Sequence, residues 1–321
     1  MTAAGTRRVG VMLPRDLPAA QVLPYARRAE QLGFDELWVV EDLGFRGGVA
    51  QAGAVLAVTR HITVGIGILP AGARNAAFAA MELATLAQLF PGRLIAGVGH
   101  GMPGWMRQVG AWPASPLTLL SEYTAAVRAL LRGEAGPADG RYVQVEGVVL
   151  DERPDVVPPV VLGVRGPRSL ALAGRAADGV LLAEPAAPPY IAATVARLGG
   201  GGPEIITYDV AVVGDDGRAA RAAARAGLAW IGEPDWAPHL AALPFAGALA
   251  GHRRSCSSPR EFAATMPEEW VAELALAGTP AEVRERIAAR HAAGATSVIL
   301  APAESDRLAA LTRMAGVLDG R

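Results

Sequence analysis

Eight short runs rich in β-branched and other apolar residues recur along the chain, separated by longer stretches of helical period. No other feature limits the fold as much. The runs are VGVML (9–13), ELWVVE (36–41), ITVGIGIL (62–69), LIAGVG (94–99), PVVLGV (159–164), DGVLLA (178–183), IITYDVAVV (205–213) and TSVILA (296–301). Parallel neighbours need helical crossovers, and a sheet of eight that closes on itself has no edge to protect. The expected fold is therefore of the α/β class, a (β/α)8 TIM-type barrel. At 321 residues the chain is about twice the ~150-residue soft prior for a domain, but barrels often run to that size undivided. No stretch is rich enough in Gly or Ser to act as a linker, so residues 1–321 are expected to form a single domain.

Helix boundaries are legible between the runs. Leu120, Tyr123, Val127 and Leu130 fall on one stripe of a helix that Gly133 is placed to end. Thr279, Pro280 and Glu282 form a capping box with proline at the first helical position, and Gly294 can close that helix before the last strand. Gly33 ends the helix before the second run, and the turn Gly166, Pro167, Arg168, Ser169 can open the helix after the fifth. Two spacings break the rhythm, about 60 residues after the fourth strand and about 80 after the seventh. Both follow a strand's carboxyl end, where a barrel of this type carries its active-site loops, so loop insertions after strands 4 and 7 are expected there. The second insertion holds Trp230, Trp236, Phe245 and Trp270, which read either as a lid or as a satellite core under a long loop.

Composition removes several function classes. The 30 basic and 31 acidic residues nearly cancel, and no basic block interleaves with aromatics, so no nucleic-acid partner is expected. The chain contains no lysine, which excludes Schiff-base chemistry and a P-loop. Cys256 stands alone, so no intramolecular disulfide or Cys-rich zinc site is available, and a reducing cytoplasm fits. The segment MTAAGTRRVG lacks the apolar core of a secretory leader, and Trp236 to His252, the longest uncharged stretch, falls short of the ~20 residues that span a bilayer. No membrane partner and a cytoplasmic location are expected. The histidines His61, His239, His252 and His291 show no metal-ligand spacing, so no metal is expected.

Candidate chemistry sits at strand carboxyl ends. Glu41 and Asp42 are adjacent, so in extended chain they point to opposite faces and only one enters the barrel mouth, for proton transfer or as a cap. GVGHG (97–101) sets His100 between Gly99 and Gly101, where backbone approaches a ligand closely; His100 reads as a donor to a ligand oxygen or as a loop histidine bonded to a carbonyl. GVRGPRSL (163–170) joins a flexible turn to a helix amino terminus, which favours a phosphate, with Arg165 or Arg168 in support. Gly65 and Gly67 inside the third run signal a bulge or a close backbone approach. Glu184 follows the sixth strand.

The ordered set GFDELWVVED, ITVGIGILPAGARN, ELATLAQLFPGRLIAGVGHG, PVVLGVRGPRSLALAGRAADGVLL and AGTPAEVRERIAARHAAGATSVIL resembles the bacterial luciferase-like flavin-dependent oxidoreductases, most nearly the branch using the deazaflavin coenzyme F420. The resemblance spans nearly the whole chain and implies the same TIM-type barrel. It also implies a non-proline cis peptide behind the flavin ring at Gly67 and Ile68, a phosphate-holding turn at Val164, Arg165, Gly166 and Pro167, and often a homodimer. The family's acidic-plus-histidine pair falls on Glu41 and Asp42, with aspartate where histidine is common, and Met102 stands where some F420 enzymes have a catalytic glutamate. Family sugar-phosphate dehydrogenases use lysines that this chain lacks.

The function implied is hydride transfer between F420 and a small organic substrate at a C=N, C=C or C=O bond, with His100 first and Asp42 or Glu41 second as the proton-handling group. The alternatives are an FMN-dependent monooxygenase of the same superfamily and a catalytically silent flavin-binding barrel.

Overall fold

A computed structural model describes residues 7–199 and 202–318; the MTAAGT segment read for a leader core lies outside the described residues. Among the described residues nine strands form, β1 (Arg8–Met12), β2 (Glu36–Val39), β3 (Thr63–Pro70), β4 (Leu94–Gly99), β5 (Val160–Gly163), β6 (Gly179–Leu182), β7 (Glu204–Val213), β8 (Leu276–Gly278) and β9 (Ser297–Pro302). Eight of them close a parallel ring in which β7 pairs with both β6 and β9, and β9 pairs with β1. The barrel expected from the alternating runs is therefore present, and every expected run carries a ring strand. The additional strand, β8, lies outside the ring on the carboxyl end of β7, pairing Leu276 to Gly278 with Ala211 to Val213. Its residues LAG contain nothing β-branched and continue the apolar run of the preceding helix, so the sequence carried no strand signal for it.

The crossovers are α1 (Ala19–Gln31), α2 (Gly48–Val58), α3 (Ala76–Leu89), α4 (Pro103–Gln108), α5 (Pro116–Leu131), α6 (Pro167–Ala176), α7 (Pro188–Leu198), α8 (Gly217–Ala224), α9 (Ala237–Leu240), α10 (Ala246–Ser255), α11 (Pro259–Thr265), α12 (Glu268–Leu274), α13 (Pro280–Ala292) and α14 (Arg307–Ala315). The Thr279 capping box opens α13 with both reciprocal bonds made. Gly133 follows α5 with φ of +74°, a conformation that would strain any residue with a Cβ.

Side chains leave each strand alternately inward and outward. Outward residues such as Leu37, Val39, Val64 and Leu162 pack against the helices in the main core. Inward ones, Trp38, Ile95, Val161, Leu181, Ile206, Tyr208 and Ile299, fill the barrel itself. Trp38 dominates that interior, and its register partner on β3 is Gly65. A Cβ on Gly65 would lie 2.2 Å from the indole ring, so the glycine leaves the room that the tryptophan occupies.

The two insertions behave differently. Of the residues after β4, 100–115 run from the strand to the start of α5. Residues 132–159 follow α5 and fold back along it, with Glu122 accepting from the amides of Arg141, Tyr142 and Val143 and Tyr142 Oη accepting from the Ser115 amide at 3.0 Å. The insertion after β7 builds a second core from Val210, Val212, Leu228, Leu249, Phe262 and Val271. Phe245 stacks on Trp270 at 5.4 Å between centroids and Trp236 packs against the same core, whereas Trp230 is 62% exposed. The satellite-core reading holds for the first three aromatics and not for Trp230.

Fully buried His239 latches this insertion to the barrel, its Nδ1 3.2 Å from the Pro185 carbonyl and its ring 4.6 Å from that of Tyr190. Burial, helped by the nearby charge of Arg165, pushes its pKa down to about 3.

Two expectations follow from these contacts. Gly65→Ala forces a methyl into the indole and should cost ~1 to 3 kcal/mol in denaturant unfolding, a loss partly recovered when Trp38→Leu is added. Because His239 is neutral in the fold but titrates near 6.5 when unfolded, its contribution is complete above that pH. It is lost as pH falls toward 3, by at most ~1.4 kcal/mol per unit. His239→Phe keeps a ring against Tyr190 and should flatten that acid limb of the stability profile.

Candidate active site

The carboxyl ends of the strands bring the expected groups to one mouth but give them unequal freedom. At the end of β2 the two carboxylates diverge, as neighbours in an extended chain must. Glu41 takes a bidentate pair from Arg74, at 2.8 and 3.0 Å, and the amide of Gly48 at the start of α2, at 2.8 Å. Its carboxylate is spent clamping the loop after β3 to α2, which leaves it no part as a free acid or base. Asp42 turns to the other side and pairs with Arg15 at 2.6 Å, the guanidinium lying 5.0 Å from the Phe45 ring. Its charge reaches the barrel axis, where it helps raise the pKa of Glu184 and Tyr208. Asp42 is thus the member of the pair whose charge those two groups feel.

The Gly67–Ile68 peptide is cis, as the resemblance implied. Between Ile66 and Leu69 the register of β3 against β4 slips by one residue, which is the bulge that the glycines announced. Ile68 is thereby set over β4 and β5. Cβ atoms at Gly97, Gly99 and Gly163 would lie 3.3, 3.1 and 2.4 Å from its side chain. Gly99, expected to let backbone approach a ligand, makes room for Ile68 instead. Ile68, Met12 and Val40 cap the barrel interior and remain partly exposed, so they form an apolar floor for the mouth.

His100 sits on the rim of that floor. Its Nε2 is 3.1 Å from Ser169 Oγ, in the first turn of α6, and burial lowers its pKa against the opposing Pro116 carbonyl. The imidazole is neutral and ties β4 to α6. The chain then turns at Gly101, and Met102 precedes α4 without making a side-chain cap.

The expected phosphate turn has the form of an anion site. Gly166 is the N-cap of α6, Pro167 is the first helical residue, no side chain caps the helix, and a Cβ on Gly166 would meet nothing within 4 Å. The first-turn amides thus carry no side-chain cap beside that open space, the arrangement that favours a phosphate. Val164 is buried beneath the turn, and Tyr190 Oη donates to the Arg165 carbonyl at 3.3 Å. The Arg165 side chain lies 5.0 Å over the Trp236 ring and donates to the Asp235 carbonyl at 3.0 Å, so it braces the insertion. Arg168 remains exposed at the helix start. Arg253, in the insertion after β7, is paired with Glu233 at 2.7 Å.

Two groups that sequence reasoning undervalued complete the mouth. Tyr208 is 5% exposed, its hydroxyl lacks a hydrogen-bond partner among the described residues, and a Cβ on Gly67 would lie 2.1 Å from it. The period-2 pattern of IITYDV places Tyr208 beside Ile206 on the inward face, the one signal that could have singled it out. Glu184, two residues past the end of β6, joins Pro185 through a cis peptide, and its carbonyl accepts from Trp236 Nε1 at 3.1 Å.

An apolar floor beside an uncapped helix start suits a flat ring carrying an anionic tail. Among the described residues, no group of three or more His, Cys, Asp or Glu is placed to hold a metal ion, and no helix is long and apolar enough to cross a membrane.

Known proteins resemble this chain in sequence and in fold. The 5,10-methylenetetrahydromethanopterin reductase of Archaeoglobus fulgidus is 26% identical over 307 residues, 91% of this chain and 92% of that protein. The reductase of the same name from Methanolobus tindarius is 33% identical over 170 residues, and the F420-dependent glucose-6-phosphate dehydrogenase of Beutenbergia cavernae is 35% identical over 180 residues. Each of these two matches spans 52% of the relative's length, about half. The fold is shared with the coenzyme F420 dependent tetrahydromethanopterin reductase of Methanopyrus kandleri, at a TM-score of 0.81 and 21% identity over 97% of both chains. Residues 4–297 match the luciferase-like monooxygenase family, and the chain therefore belongs to that family.

Proposed function

We propose that this protein is an F420-dependent oxidoreductase that moves a hydride between coenzyme F420 and a small organic substrate at a C=N, C=C or C=O bond. The observation that carries the reading is the uncapped start of α6 opening beside the apolar floor at Ile68. That pairing fits a tricycle with an acidic linker. Relatives named as F420-dependent enzymes support the choice of deazaflavin over FMN. When bound, the coenzyme supplies the two-electron hydride.

The chain's own residues bind and orient. The amides of Arg168 and Ser169 would hold the acidic linker, joined by the helix dipole. Ile68, Met12 and Val40 would back the ring, the bulge of β3 presenting Ile68 to one face. His100, neutral and fixed by Ser169, serves as a hydrogen-bonding wall at the ring edge. Asp42 sets the negative field of the mouth while Arg15 holds it in place. The absence of lysine leaves no lysine grip for a substrate phosphate, which favours a substrate without one.

We also propose a homodimer. The eleven residues of α2 carry no charge, and Phe78, Met81 and Leu89 on α3 are 64, 50 and 66% exposed. Such a ridge is the kind of surface that a second copy covers.

The cofactor reading is checked by titrating the protein with F420 and with FMN while following absorbance; F420 should bind and FMN should compete poorly. Gly166→Asp gives α6 a carboxylate cap in the space an anion would use. It should stabilise the fold by ~0.5 to 1 kcal/mol while weakening F420 by tenfold or more, and equal F420 affinity would refute the anion site. Light scattering should report a dimer for the native chain and a monomer for Phe78→Glu.

A further inference from the structure

Around the mouth, almost every ionisable group already has a partner. Glu41 holds Arg74, Asp42 holds Arg15, and His100 bonds to Ser169. Asp209, pointing out of the barrel, is buried against Arg290 at 2.9 Å and takes a bond from Thr207. Among these carboxylates, Glu184 is the exception. Among the described residues, no other residue donates to its carboxyl, and the nearest donor is its own amide. The side chain lies deep in the fold yet keeps contact with solvent, the combination found on the wall of a cleft.

Its placement is rigid. The Glu184 carbonyl is held by Trp236 Nε1 at 3.1 Å, and the following Pro185 carbonyl is held by His239 Nδ1 at 3.2 Å. One insertion helix and its preceding turn thus fix the backbone on both sides of the carboxyl. The Tyr208 hydroxyl is buried, unpartnered and beside the Gly67 peptide, and it lies near enough to Glu184 to feel the charge of that carboxylate. Buried polar atoms are nearly always bonded, so an orphaned hydroxyl near an unpaired carboxyl marks the place of a ligand's polar atom. Burial raises the Glu184 pKa, and the charges of Asp209 and Asp42 raise it further against that of Arg165. Burial and the charge of Glu184 also raise that of Tyr208. Both shifts favour the protonated, donating form.

We propose that Glu184 is the acid that protonates the substrate and that Tyr208 holds the atom it protonates, so that the substrate is a C=N or C=O compound whose heteroatom lies between them. The proposal rests on the F420 reading for the source of the hydride. As that hydride reaches the substrate carbon, the double-bond pair moves to the heteroatom. The Glu184 O–H bond breaks, an N–H or O–H bond forms, and a carboxylate remains until solvent reprotonates it. The substrate gains two electrons and the coenzyme loses two. In the oxidative direction the carboxylate accepts the proton. The rate of reduction should fall as pH rises through the elevated pKa of Glu184.

The test compares Glu184→Gln, which keeps the shape without the titratable proton, and Glu184→Asp with the native enzyme. Three substrates are used, a neutral imine, a neutral ketone and an N-alkylated iminium ion, which needs a hydride but no proton. Glu184→Gln should bind F420 with nearly native affinity and lose ~10²- to 10⁴-fold in kcat/KM on the imine and ketone. It should reduce the iminium at a nearly native rate, and Glu184→Asp should recover part of the loss. Infrared difference spectra of the native protein at neutral pH should contain a protonated carboxylic acid band that Glu184→Gln lacks. Equal slowing on all three substrates, or none on any, would overturn the proposal. Should the native protein take up no F420, the F420 reading fails by itself, and the infrared band still decides Glu184: an ionised carboxylate at neutral pH overturns its role as an acid.

Discussion

The Glu36 carboxylate at the floor of the barrel is the contact on which the remaining architecture depends. It is wholly buried and accepts from Arg8 on β1, from Ser297 Oγ on β9 at 2.9 Å, and from Trp38 Nε1 on its own strand at 2.7 Å. Arg8 also reaches Glu204 on β7, which accepts from Thr296 at 2.6 Å. One network thus ties four strands around the point where the chain's last strand meets its first. Burial raises the pKa of Glu36 while the Arg8 charge opposes it, so the pair offsets a desolvation that neither partner would bear alone. A sheet that did not close there would leave these groups unpaired and expose the edges of β1 and β9.

That floor also orients Trp38, and the indole decides what the barrel can hold above it. With Gly65 giving it room and Tyr208 meeting it edge-on at 5.8 Å between centroids, the tryptophan fills the lower interior. Polar function is therefore displaced to the upper layer. There the bulge of β3 carries Ile68 over the glycines of β4 and β5, and Tyr208 is left with its hydroxyl unpartnered below the mouth. The same packing that makes a dry core makes a flat apolar floor.

The insertion after β7 contributes by bracing the mouth. Trp236 and His239 grip the turn after β6, and Arg165 stacks on Trp236 from the turn after β5. These contacts join the anion site and the cis turn at Glu184 through one aromatic cluster. The groups at the mouth are consequently held by a core of their own, separate from the one between barrel and helices.

Periodicity determined the barrel, because buried parallel strands and amphipathic crossovers leave unmistakable apolar patterns along the chain. Local chemistry determined the Thr279 box, the close of α5 at Gly133, and the helix start at Gly166, since caps and tight turns depend on only a few neighbouring residues. Three-residue β8 escaped notice because its apolar letters continue a helix, and length alone did not say that residues 132–159 follow a helix and fold back along it. Which carboxylate remains free was decided by the tertiary structure alone. Glu41, Asp42 and Glu184 look equivalent as strand ends, but Arg74 and Arg15 come from distant parts of the chain and pair with the first two. Partnership is a property of the fold in space, where residues far apart in sequence meet, and the reactivity of an acid follows from the partner it is given.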